Sequence, residues 1–294
     1  MKNNTEIFML CTRLKFFTFF LTLTLAPFNL FGQDTAGCAD KLIKYNEYKE
    51  AADENYFLKI NHMNGAALLY FGAQHSDNPA DIQFGEIRKA YMDFKPEVVF
   101  YEGPRRPLGR DEEETIKLFG ESGFIRFLAQ RDSIPVESLE PNPVNELKFM
   151  LKKFTPEQAV LFYVLREASR LRERKNASPE EIKENIAQLF SRLPRFEGLT
   201  IKNIEELEKA YNKYWKEPAM WYDAPSRWFD PLKTSKETGG IFTNELNAES
   251  SHYRNVHMYE ILTKTVKDGK RVFAVVGRNH VPMQREALKC ALQQ

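Results

Sequence analysis

Apolar runs alternate with amphipathic stretches through the first half of the chain. Residues 66–71 (AALLYF) form a compact apolar run that stops at Gly72. Residues 97–101 (EVVFY) form a second, stopped by Gly103-Pro104, and residues 134–139 (IPVESL) a third. Short apolar runs bounded by turn residues read as buried strands. Between the first two, residues 81–93 place Ile82, Ile87, Ala90 and Tyr91 near one helical face, and Pro96 closes that unit. Another helix falls around 122–131. The order strand, helix, strand, helix, strand predicts an α/β fold, a mostly parallel sheet flanked by helices. Near the other end, a helix over about 247–267 precedes the apolar run 272–276 (VFAVV), which stops at Gly277, and a last helix begins near 282.

The middle of the chain has a different period. Residues 143–215 are charged and strand-poor, which predicts a helical insertion. Thr155-Pro156-Glu157 and Ser178-Pro179-Glu180 each carry a hydroxyl cap, proline at the first helical position and acid in the first turn. They place helices at roughly 156–174 and 179–192. The run 170–175 (RLRERK) reads as a solvated helix face. Beyond it, Trp215, Trp221, Tyr222, Trp228 and Phe229 suit either a pocket cover or a satellite core.

Composition narrows the class. The 294 residues hold 42 Lys+Arg against 41 Asp+Glu, a formal charge of +1, with 43% hydrophobic and 28% charged residues. That balance excludes a disordered tail and a strongly basic nucleic-acid binder. The N-terminal segment, with Lys2, Arg13 and Lys15 ahead of the uncharged 16–25 (FFTFFLTLTL), has the form of a cleavable leader over 1–32. Its apolar stretch is short for a spanning helix, so the mature chain, 33–294, is expected to be exported, periplasmic or secreted, without a membrane span; the alternatives are an uncleaved anchor and lipidation at Cys38. Cleavage after Gly32 leaves Cys38 and Cys290 near the two ends. In an oxidising compartment they either form a disulfide or stay as free thiols.

The chemistry concentrates at strand ends. Gly72-x-x-His75 follows the first apolar run and Gly277-x-x-His280 follows the last, in a chain with only five histidines. In open parallel sheets, ligands collect beyond the carboxyl ends of the strands. Glu102 and Glu140 end two other runs. The alternative for Glu102 is a local ion pair with Arg105 or Arg106, and for Glu140 a cap on the following helix. His75, Glu102 and His280 make a donor set suited to a divalent metal, with Glu140 as general base or as a residue orienting the ligands. HExxH, GxSxG, Walker and GxGxxG motifs are absent; Gly120-Glu121-Ser122-Gly123-Phe124 lacks the final glycine of a serine elbow.

These residues together resemble the TraB/GumN/TIKI family, within the wider group that includes erythromycin esterase-like and ChaN-like proteins. The resemblance covers about residues 66–290. It rests on the paired GxxH motifs, Glu102, Val136-Glu-Ser-Leu-Glu140-Pro141 with Asn145-Glu146-Leu147, and Arg254-Asn255-x-x-Met258. It implies an α/β core with a helical insert and, as in the protease-like TIKI members, a divalent metal, manganese or cobalt. Two departures concern substrate class. Asp77 follows the first motif, and residues 102–107 (EGPRRP) look closer to the esterase-like side of the group.

The expectation is therefore an exported metal-dependent hydrolase, peptidase- or esterase-like, acting on a peptide or small molecule. His75, Glu102 and His280 hold the metal or act on water, and Glu140 and Arg254 are catalytic. Arg254 would bind a substrate carboxylate or an oxyanion, with Asn255 in support; Arg105 is a further candidate for an anionic group. The rival readings are a non-catalytic binder of haem, iron or a small ligand in the same cleft, and an interaction protein whose helical insert holds a partner.

Overall fold

A computed structural model of the protein describes residues 35–51, 54–192 and 201–293. The expected leader, 1–32, lies outside the described residues. In chain order the elements are α1 (Thr35–Ala39), β1 (Phe57–Asn61), β2 (Ala67–Ala73), α2 (Ile82–Phe94), β3 (Val98–Tyr101), α3 (Glu112–Arg131), β4 (Val136–Ser138), α4 (Pro143–Met150), α5 (Pro156–Lys175), α6 (Pro179–Arg192) and α7 (Ile204–Tyr214). Two 3-10 turns (Trp221–Asp223 and Ser226–Phe229) lead to α8 (Ser235–Thr238), α9 (Thr243–Lys267), β5 (Arg271–Gly277) and α10 (His280–Leu292). The fold is α/β, as the alternation of runs predicts.

The sheet order is β1-β2-β5-β3-β4. β2, β5, β3 and β4 are parallel neighbours, and β1 pairs antiparallel with β2 at the edge. The apolar runs are unbroken because both sheet faces are covered. Leu68, Tyr70, Phe100, Val272 and Ala274 pack on one face with Met258, Leu262 and Leu288 from α9 and α10. Their strand neighbours Leu69, Val99, Phe273 and Val275 pack on the other with Ile87, Phe124 and Leu128 from α2 and α3. Side chains alternate across a strand, so a run buried on both sides shows no period-two pattern.

The middle segment forms a helical layer with an apolar cluster of its own. Leu161, Leu165, Ile186, Leu207, Trp215 and Trp228 belong to that cluster. Among the described residues, 143–215 contains no strand. The start of α5 is where the sequence places it: Thr155 Oγ1 accepts from Gln158 N–H, and the Gln158 side chain accepts from Thr155 N–H, a reciprocal capping box. The layer extends past 215. Trp215 and Trp228 stack at 5.0 Å between centroids, and their indole N–H groups donate to Gly239 and Thr238 carbonyls at 3.0 Å each. The tryptophans are therefore a core, and Phe229 is the member of the group that reaches the cavity described below.

Cys38 and Cys290 are joined as a disulfide, with Cα atoms 5.5 Å apart across 252 residues of sequence. It fastens α1 to α10. No described helix is long and apolar enough to cross a membrane.

Candidate functional site

Because four parallel strands lie side by side, their carboxyl ends share one rim. Ala73 is in register with Gly277, and Tyr101 with both Val275 and Ser138. His75 comes just after β2, Glu102 directly after β3, Glu140 just after β4, and His280 opens α10 after β5. A cavity of about 730 Å³ lies at this rim, between the strand ends and the helical layer; His75, Glu102, Arg254 and His280 line it, with Arg166 from α5 opposite.

Gly277 is the point around which the two halves of the chain meet. A Cβ placed on it would stand 3.1 Å from Glu102 Oε2, 3.6 Å from His75 Nε2 and 3.7 Å from His280 Cδ2. A side chain there would fill the space that the two imidazoles and the carboxylate share. The paired GxxH motifs thus come together as their strand-end positions predict.

Glu102 is held from three directions. Gly277 N–H donates to Oε2 at 2.6 Å, Arg254 Nη2 donates to Oε1 at 2.6 Å, and His280 Nε2 lies 3.4 Å from Oε1. Burial pushes this carboxyl up, but the charges of His280 and Arg254 and the hydrogen bonds from His280 and Gly277 hold it well below the usual carboxylate range. The local pairing with Arg105 or Arg106 does not form. Arg254 reaches across from α9 instead, and also donates to Glu140, Nη2 to Oε1 at 2.7 Å and Nε to Oε2 at 3.1 Å. Burial works against the guanidinium charge, but Glu102 and Glu140 more than restore it, and the Arg254 pKa is raised.

Each histidine presents Nε2 because its Nδ1 is occupied. His75 Nδ1 contacts Glu121 Oε1 at 2.6 Å; the carboxylate is 10% exposed while the imidazole is 60% exposed. The bond to Glu121 raises the His75 pKa, with burial opposing it. His280 is buried, and its Nδ1 contacts Asn255 Oδ1 at 2.5 Å. That Oδ1 also accepts from Gln284 Nε2 at 2.9 Å, and Gln284 donates to Tyr70 OH at 2.9 Å. Tyr45 stands edge-on to the His280 ring at 6.4 Å. Burial and the Glu102 charge raise its pKa, so it is a neutral phenol.

No protein-family model, curated protein or solved structure matches this chain. The chemistry of the site therefore has to be argued from its own atoms.

A divalent metal suits the donor chemistry. Histidine ligands commonly have the second ring nitrogen held by an oxygen, as Glu121 and Asn255 hold these two. The 3.4 Å between His280 Nε2 and Glu102 Oε1 is the spacing of two neighbouring donors on one tetrahedral ion, about 3.4 Å for bonds of ~2.1 Å. The space over Gly277 is open to all three candidate ligands. As placed, no three His, Cys, Asp or Glu side chains among the described residues close to ligating distance. His75 is the donor that stands off, tied to Glu121.

Several expected roles move. Glu140 commits both oxygens to Arg254 and is not among the residues lining the cavity; it positions the arginine. Asn142, not Glu140, caps α4. Asn255 is fully buried and supports His280, so it cannot touch a substrate. Arg105 is exposed on the loop after β3 and lies outside the cavity lining. Arg170, Glu173 and Arg174, in the run expected to be a solvated face, line the cavity, and Arg172 donates to the Tyr222 and Ala224 carbonyls.

Glu121 is the residue that sequence reasoning missed. It lies in the stretch that fails as a serine elbow. Its position depends on Gly120, which breaks α3 with φ 57° and ψ −143°. A Cβ at Gly120 would stand 2.7 Å from the Ser76 carbonyl oxygen. The glycine lets the helix kink against the residue next to His75 and so deliver the carboxylate to the imidazole. The sequence places this helix only at about 122–131, whereas it spans Glu112–Arg131, so Gly120 and the acid after it fall outside the expected element.

Proposed function

We propose that this protein is an exported hydrolase that cleaves an amide or ester bond, with a divalent metal, manganese or cobalt, held by His75, Glu102 and His280. The carrying observation is the meeting of the two GxxH imidazoles and the Glu102 carboxylate around the bare Cα of Gly277, at the wall of a cavity large enough for a peptide or small molecule. The resemblance to the TraB/GumN/TIKI family supports the same reading, since the motifs that carry it include those three residues. The leader-like sequence of 1–32 and the Cys38–Cys290 bridge support an oxidising compartment outside the cytoplasm.

Bound there, the metal would supply a water of lowered pKa and polarise the scissile carbonyl. The chain's own residues do the positioning. Glu121 fixes His75 with Nε2 toward the cavity, and Asn255 does the same for His280. Arg254 keeps Glu102 ionised and stationary, and Glu140 holds Arg254 in place. These are charge-assisted contacts set before substrate arrives, so little reorganisation is needed during reaction.

The test is metal analysis of the purified mature chain, followed by peptidase and esterase assays after manganese or cobalt loading. His75→Ala and His280→Ala are each expected to lower bound metal and abolish turnover while the circular dichroism spectrum is retained. Turnover that survives both substitutions overturns the proposal. A haem absorption band with no turnover would replace it with the binding reading.

A further inference from the structure

Two of the arginines that line the cavity have no ion-pair or hydrogen-bond partner among the described residues. Five arginines and three glutamates line it. The glutamates are all engaged: Glu102 with Arg254, Glu167 with Arg170, and Glu173 with Arg172. Arg278 pairs with Glu50. That leaves Arg166 and Arg174. Among the described residues neither forms an ion pair or donates a hydrogen bond, and the Arg166 guanidinium lies 5.7 Å from the centroid of the Phe162 ring.

Their placement follows from helix geometry. Arg166, Arg170 and Arg174 recur every four residues on α5, so they form one ridge facing the cavity. At 1.5 Å per residue the two unpaired guanidinium-bearing positions are about 12 Å apart along the helix. Arg174 is near enough for its charge to act on His75, and Arg166 is near Arg254 and Glu102. Arg166 is exposed and lines the cavity. Desolvation, and then the charge of Arg254, work against its protonated form, with Tyr163, Glu146 and Glu102 opposing them only in part. A guanidinium in that position gains more from an anion than one on an open surface. At the same wall, Asn247 donates through Nδ2 to the Phe229 carbonyl, while its buried Oδ1 has no partner.

We propose that Arg166, assisted by Arg174 along the same ridge, is the subsite that recognises a substrate carboxylate, and that the protein selects short peptides or N-acyl amino acids with a free carboxyl terminus. Guanidinium matches a carboxylate with two parallel N–H···O bonds, which lysine cannot reproduce. The role expected of Arg254 from its sequence context passes to Arg166, because Arg254 is already occupied by two carboxylates. The inference rests on the hydrolase reading for the word substrate; its recognition half stands on binding alone.

The experiment uses a panel of N-acetyl dipeptides, each as free acid and as C-terminal amide, titrated calorimetrically into the full mature protein at low salt. Cleavage is followed separately by mass spectrometry. The free acids are expected to bind at least about tenfold more tightly than the amides, and added salt narrows that gap. Arg166→Leu should abolish the preference, and Arg166→Lys should retain part of it. Equal binding of acid and amide by the wild type, or a preference that survives Arg166→Leu, overturns the inference. Preferential binding with no cleavage of any peptide, or of the matching esters, leaves it standing and removes the hydrolase reading. Equal cleavage of acids and amides does the reverse.

Discussion

Replacing Arg254 with methionine tests the central ion network. The substitution keeps most of the side-chain volume and removes the cation that Glu102 and Glu140 share. Arg254 and Glu102 are 14% and 16% exposed and Glu140 27%. Breaking a buried ion pair by deleting one partner costs about 3–5 kcal/mol, because the other charge is left buried. Glu102 would keep the Gly277 N–H and His280, and Glu140 is partly wet, so the lower end, about 3 kcal/mol, is expected. At about 2–4 °C per kcal/mol for a domain of this size, the melting temperature should fall by roughly 6–12 °C. Urea unfolding and calorimetry on chelator-treated protein measure both.

The pH dependence has a defined sign. Glu102 is held below its ordinary value in the folded protein, so its stabilising contribution is present above the unfolded carboxylate value, about 4.3, and is lost as pH falls through the folded one. Arg254→Met loses part of that contribution. The gap between wild type and variant is therefore widest near neutrality and narrows on acidification. Adding Glu102→Gln and Glu140→Gln to the methionine variant should recover much of the loss, since no bare charge then remains. A loss under about 1 kcal/mol, or a gap that does not change with pH, would refute the view of Arg254 as the shared counter-charge.

Further outcomes follow from other residues. Gly120→Ala places a Cβ 2.7 Å from the Ser76 carbonyl at a positive φ, so thermal unfolding should show a loss of about 1–3 kcal/mol and turnover should fall with it. Gly277→Ala puts a Cβ 3.1 Å from Glu102 Oε2; a melting temperature near wild type with metal retention lost is expected, and a variant that binds metal as wild type does would contradict the shared-cradle geometry. Cys38→Ser and Cys290→Ser should each cost about 2–5 kcal/mol in urea unfolding, and the double variant no more than either single one.

The sheet was legible because its strands are apolar on both faces and end at glycines. β2, β3 and β5 lie within two residues of the positions read from the sequence. β1 escaped notice: Phe57–Asn61 is a short edge strand whose burial alternates, exposed at Phe57, Lys59 and Asn61. The helix starts at Pro156 and Pro179 were marked by local capping chemistry, which works without tertiary context. The site was half legible. Strand-end position alone brought His75, Glu102 and His280 together, since four parallel strands share a rim. What could not be read was which arginine meets which acid. Arg254 is far in sequence from Glu102 and Glu140, and a local partner such as Arg105 looks equally good on paper. The arginine ridge of α5 was misread for a related reason: a charged helix face has the same spacing whether it borders bulk water or an internal cavity.

The helical layer and the sheet each bury a separate apolar cluster. The wall that carries Arg166 and Arg174 thus rests on an apolar cluster distinct from those under the rim that carries the imidazoles. Ancestral drift or deliberate grafting could rebuild the cavity face of α5 to welcome a different guest without touching the two imidazoles. In such an architecture, what the cavity admits can change while the rim of His75, Glu102 and His280 stays fixed.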